Sequence, residues 1–185
     1  MNRRTFLHRA STGTIALGAL PLVASKAWAD GGEGKGFNFV VVGFGSGTDR
    51  LLISGNGTFD EDGVEGGGKF DHFMATTSPP APLVSTGTWK AKKFVSFVLP
   101  TMTAPSDPNA THGVYQGGIL TLIADFHPIG QPKVKGVQIE IVCNLGPAGA
   151  STPGKNEGVY LTLDGMAFQP GGLGVTVFTL NEEDD

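Results

Sequence analysis

Four histidines and a single cysteine are the side chains of this sequence best suited to metal binding, proton transfer or nucleophilic attack. His72 directly follows Asp71, and His127 stands two residues after Asp125. Residues two apart in an extended chain project to the same face. If 119–127 is a strand, Thr121, Ile123, Asp125 and His127 share one face, and Leu120, Leu122, Ala124 and Phe126 share the other. The stretch 134–143 alternates in the same way: Val137, Ile139, Ile141 and Cys143 fall on one side, Gln138 and Glu140 on the other. A hairpin that joins the two apolar sets brings Asp125 or His127 toward Gln138 or Glu140. A histidine beside carboxylates is a usable general base or metal ligand set. Adding His112 or His72 would give the two-histidine-plus-carboxylate group that suits a divalent metal.

A plainer reading competes with each of these. A polar strand face is commonly the solvated one, and Asp125 and His127 just before Pro128 are residue types at home near turns. His72 equally suits a strand end, its ring satisfied by a backbone carbonyl. Cys143, on an apolar face, reads as a buried and inert thiol. Asp60-x-Asp62-Gly63 resembles a calcium loop only in part: it lacks the distant glutamate and the flanking helices, so it reads as a turn. Gly43-x-Gly45-x-Gly47 follows a strand but opens no helix and is no dinucleotide fingerprint. Ser46 is in no nucleophile-elbow pattern.

The elements that must carry these residues are strands. Extended runs recur at 37–42, 50–54, 58–60, 64–74, 84–99, 114–126, 134–143, 159–163 and 175–180, period two dominates, and no segment has helical period. The 29 glycines are far above the roughly 7% average, and they separate the runs, which predicts many tight turns. Asn56-Gly57 between extended runs predicts a hairpin. Trp89 with Lys90, Lys92 and Lys93 predicts a cationic stripe, of the kind that guards an edge strand. Strands joined by short turns pair antiparallel. The expected fold is all-β, an antiparallel barrel of about eight to nine strands, with a β-sandwich as the alternative; closure would remove the sheet's edges. The segments "GGGKFDHF", "STGTWKAKK", "HGVYQGGIL" and "IVCNLGPAG" give the chain a resemblance to small secreted bacterial and fungal β-proteins. That likeness implies the fold class and assigns no catalytic residue.

The first 29 residues have a different character. Arg3-Arg4 precede an apolar run of about a dozen residues, too short for a helical membrane span, and Ala27-x-Ala29 follows as a small-x-small cleavage site. The order Asn2-Arg3-Arg4-Thr5-Phe6-Leu7 resembles the twin-arginine export signal. The resemblance implies a folded cargo, the twin-arginine translocase as a transient partner, and a periplasmic or extracellular destination. Domain organisation then reads as a signal peptide at 1–29, a Gly-rich linker at 30–36, one β-domain at 37–180 and an acidic tail at 181–185.

Those 29 residues hold four of the 13 basic side chains and none of the 17 acidic ones, so residues 30–185 carry nine basic against 17 acidic groups, net −8. That sign disfavours nucleic acid and anionic membrane as partners, and no second apolar run would anchor the processed chain. One cysteine permits no internal disulfide, so the fold must stand on packing. The functional expectation is an exported, soluble β-barrel that binds a small molecule or a surface partner without a cofactor. The alternative is a metal-dependent oxidoreductase or isomerase using the His/carboxylate set.

Overall fold

The computed structural model describes residues 35–47, 49–74, 81–99, 101–102, 115–144, 150–151 and 154–179. Arg3, Arg4, the Ala27/Ala29 cleavage site, His112 and the acidic tail lie outside these residues. Eleven strands follow one another with no helix among the described residues: β1 (Lys35–Phe44), β2 (Arg50–Phe59), β3 (Val64–Phe73), β4 (Leu83–Val98), β5 (Thr101–Met102), β6 (Tyr115–Gln116), β7 (Gly118–Pro128), β8 (Val134–Cys143), β9 (Ala150–Ser151), β10 (Gly158–Leu163) and β11 (Met166–Thr179). Eight of them, β1-β2-β3-β4-β7-β8-β10-β11, pair antiparallel in sequence order, and β11 returns to β1 to close a barrel. The two-residue strands β5 and β9 pair with each other, and β6 pairs with the end of β11.

The interior is built from alternation. Phe37, Phe39 and Val41 of β1, Leu51 and Ile53 of β2, Leu120 to Phe126 at every second position of β7, and Val137, Ile139, Ile141 and Cys143 of β8 all point inward and are buried. Each fully buried side chain of this size contributes about 2–3 kcal/mol of transfer free energy. Aromatic rings fill the centre. Trp89 stacks on Phe39 at 5.9 Å between centroids, Phe70 meets Phe126 edge-on at 5.1 Å, and Phe59 meets Phe97 at 5.0 Å. An eight-stranded barrel is just wide enough for its own side chains to fill it, and here they do.

Three expectations need correction. Asn56-Gly57 is not a hairpin turn: β2 runs unbroken through it and pairs along its whole length with β1 and β3. Gly55 lies there because a Cβ would stand 2.1 Å from Trp89 Cζ2 and 3.0 Å from the Phe39 ring. The glycine makes room for rings, and the indole Nε1 donates to the Ser54 carbonyl at 2.9 Å. Second, β4 is no edge strand, since β3 and β7 flank it; Trp89 points into the core, 2% exposed, while Lys90, Lys92 and Lys93 are exposed. Third, β11 starts at Met166 rather than Val175. The two-residue turn Asp164-Gly165, with φ of 51° and 78°, joins it to β10, and positive φ at both positions is the twist-matched hairpin geometry.

The barrel wall is uneven. β10 pairs with β8 only over Gly158–Leu161 and with β11 only over Leu161–Leu163. Below Ile139, β8 bends: Gly136 takes φ of 71° and donates its N–H to Asp125 Oδ1 at 3.1 Å, where the β7–β8 register shifts. At the other end of β10, side chains replace the missing ladder. Thr176 of β11 donates its hydroxyl to the Val142 carbonyl of β8 at 2.7 Å and its N–H to Glu157 Oε1 at 3.1 Å. The Cys143 thiol donates to the Thr176 carbonyl at 3.2 Å.

Candidate functional site: a cleft at an open seam

Where β8 bends away from β10, the wall opens into a cleft of about 670 Å³. Its floor is apolar, made of the inward-facing Val137, Leu161 and Phe168. Its rim is polar: Gln138 and Glu140 come from the outer face of β8, Tyr160 from β10 and Gln169 from β11. Glu140 forms an ion pair with Lys155, whose ammonium also stands 5.3 Å from the Tyr160 ring centroid. The Tyr160 hydroxyl accepts the Asn156 N–H at 2.9 Å, which fixes the ring. A concave apolar floor with a few oriented polar groups, in a volume of a few hundred Å³, is the usual form of a small-molecule site.

Phe168 has a second neighbour. Across the seam from the cleft, the His72 ring meets it edge-on at 5.3 Å between centroids. His72 points into the barrel mouth from the end of β3, and its Nε2 lies 3.4 Å from Asp49 Oδ2 in the β1–β2 turn. Both side chains are about 14% exposed or less. Ser85, itself buried, is the cross-strand neighbour of His72 on β4. A half-buried histidine against a carboxylate can hold and pass a proton.

The remaining sequence candidates are dispersed. Asp125 lies opposite Lys90 on the outer face and caps Gly136. His127 is opposite Thr88, and its Nε2 is buried without a hydrogen-bond partner among the described residues. Glu140 is opposite Thr121, six residues along β7 from His127, or roughly 20 Å of strand. His72 is two strands from His127 and faces inward while His127 faces out. Among the described residues no three of His, Cys, Asp and Glu are grouped closely enough to hold a metal ion. Asp49, Tyr160, Lys155 and Phe168 were not legible as site residues, because only the register brings them together. Cys143 is buried as expected. Burial raises its thiol above the ordinary value of 9.0, against the lowering effect of the Phe178 backbone and Thr176, and Glu157 adds to the rise.

A second cleft of about 670 Å³ lies at the opposite end, beside the Asp60–Asp62 turn, with Phe59, Phe94 and Phe97 beneath it. The Lys35 ammonium sits 4.8 Å from the Phe97 ring centroid there, so the chain covers this aromatic floor with its own cation. Comparison with family models, with curated proteins and with solved structures finds no match to this chain.

Proposed function

We propose that the chain is exported folded through the twin-arginine translocase, loses residues 1–29, and acts in the periplasm or outside the cell as a soluble binding protein. Its ligand is a small amphipathic molecule seated in the β8–β10 seam. One observation carries the binding assignment: the interior is filled by the protein's own rings, so the ligand volume lies where the wall comes apart. The solubility assignment is supported by the outer faces of β3, β4, β7 and β8, which carry Glu65, Lys69, Asp71, Lys90, Asp125 and Glu140. Apolar inside and charged outside is the inverse of a transmembrane barrel.

The test is an NMR titration of the ¹⁵N-labelled protein with 1-anilinonaphthalene-8-sulfonate, an apolar anion. The expected result is shifts at the amides of Gln138, Tyr160 and Gln169. Ala167→Trp, at an exposed position lining the cleft, should abolish them and alter stability by less than about 0.5 kcal/mol. Shifts confined to the Phe94–Phe97 end, or unchanged by Ala167→Trp, would remove the assignment. The enzymatic alternative, an oxidoreductase or isomerase, would draw on the His72–Asp49 pair behind Phe168. Stoichiometric transition metal in protein purified with its first 29 residues, lost in His72→Ala, would favour that reading.

A further inference from the structure

At the end of the barrel where β1 begins and β2 ends, the alternation puts a charge on the inner face. Phe37 and Phe39 point inward and are buried, so Lys35, two residues earlier on the same strand, faces the barrel mouth as well. An inward-facing lysine needs a reason. Its cross-strand neighbour is Phe59, and its ammonium stands 4.8 Å from the Phe97 ring centroid. Phe94 and Phe97 reach this mouth because β4 is irregular. Its register on β7 shifts between Ala91 and Lys93 and again between Phe94 and Ser96. Inward positions therefore fall at Trp89, Ala91, Phe94 and Phe97 instead of at every second residue, with Phe94 opposite Leu122 and Phe97 opposite Leu120. Bulges re-aim side chains in this way, and they gather at barrel rims and beside functional sites. The result is the cleft of about 670 Å³ floored by Phe59, Phe94 and Phe97. The Phe59 ring lies 6.0 Å from Phe94 and 5.0 Å from Phe97 between centroids.

Three exposed carboxylates, Asp60, Glu61 and Asp62, line the same cleft against the single cation Lys35. Their turn is fixed: Asp60 Oδ1 accepts the N–H groups of Asp62 at 2.8 Å and of Gly63 at 2.7 Å. They do not make a metal site, since among the described residues no three acidic or other metal-ligating side chains are grouped closely enough.

We propose that this mouth binds an organic ammonium ion, an alkylated amine with an apolar body, and that Lys35 is its built-in stand-in. Phenyl faces attract a cation most strongly when it is partly desolvated, and alkyl groups on the nitrogen bury against the apolar floor as a hydrated metal ion cannot. The seated Lys35 ammonium demonstrates that this floor accepts such a group. The carboxylate rim draws cations in and turns anions away. No lining residue is shared with the seam cleft, so this site and the seam site stand or fall separately.

The experiment is an NMR titration of the ¹⁵N-labelled full chain with choline. The controls are neohexanol, which has the same shape with carbon in place of the charged nitrogen, and sodium chloride. Choline should give saturable shifts at the amides of Asp62, Phe94 and Phe97 with a dissociation constant of about 10 mM or tighter. Neohexanol should bind about fivefold or more weakly, and sodium chloride should not reproduce the shifts. Lys35→Met, which removes the stand-in, should tighten choline about threefold or more, and Phe94→Leu should weaken it about fivefold. Circular dichroism and the urea midpoint verify folding, and Asp62→Asn, at an exposed position, is the second weakening variant should Phe94→Leu not fold. Absence of saturable shifts below about 10 mM, equal binding of neohexanol, or shifts at Gln138, Tyr160 and Gln169 instead would each overturn the proposal. So would shifts reproduced by sodium chloride, which would leave the rim a counterion site only, choline affinity unchanged in the folded weakening variant, or affinity unchanged or lowered in Lys35→Met.

Discussion

The two halves of the barrel wall are built differently. From β1 through β7 the strands pair along nearly their whole length, and glycines on the inner face lie under aromatic rings. Between β8 and β11 the two ladders of β10 are short, each over a few residues only, and side chains bridge what the backbone leaves open. Along its wall the long-ladder half leaves little room for anything but its own core. The short-ladder half opens a cleft whose polar rim stands over the buried Val137, Leu161 and Phe168, and the proposed seam site is there. The long ladders and the proposed seam cleft thus occupy different arcs of one closed sheet.

That division can be broken or sharpened by substitution. The largest effect should come from Trp89→Ala in the long-ladder half, a loss of about 4 kcal/mol from the cavity and the freed Ser54 carbonyl, read as a lowered urea midpoint at unchanged slope. Gly55→Ala should follow at about 2 kcal/mol, because its Cβ has no space against Trp89 and Phe39; a neutral result would mean that the glycine is not there for the rings. In the short-ladder half, Thr176→Val should cost about 1 kcal/mol by leaving the Val142 carbonyl unpaired, and no loss would show that the side-chain bridge is incidental. The smallest effect is the pH response of Cys143. Its folded thiol ionises at higher pH than the unfolded one, so its share of stability is intact below about pH 9 and is lost as pH rises further. The gap between the urea midpoints of the parent and Cys143→Ala should therefore stay constant from pH 6 to about 8 and narrow on the alkaline side; a gap that changes between pH 6 and 8 would refute the assigned burial.

Much of the architecture was legible because alternation survives any error in register. The inward sets at 120–126 and 137–143 are where the pattern places them. Failures came where one residue type serves two purposes. Asn56-Gly57 carries the mark of a turn, yet Gly55 beside it answers to an indole contributed by a strand some 30 residues away in sequence. Pro170, Gly171, Gly172 and Gly174 disguised the first half of β11, which β1 holds in place through a long ladder. Asp164-Gly165 was an available hairpin signal. The site was less visible than the fold. His72 and Asp49 are 23 positions apart and meet only through the β2–β3 register, while Lys155 lies in a Gly/Pro/Ser-rich stretch with no pattern to place it.

The indole on its glycine bed has one more consequence. The sequence holds two tryptophans, Trp28 and Trp89. Cleavage after Ala29 would remove the first and leave Trp89 the sole tryptophan fluorophore of the processed chain, anchored by one hydrogen bond in the ring-packed interior. Its emission would then report core solvation without labelling, and shielding from acrylamide quenching would persist for as long as the barrel stays shut.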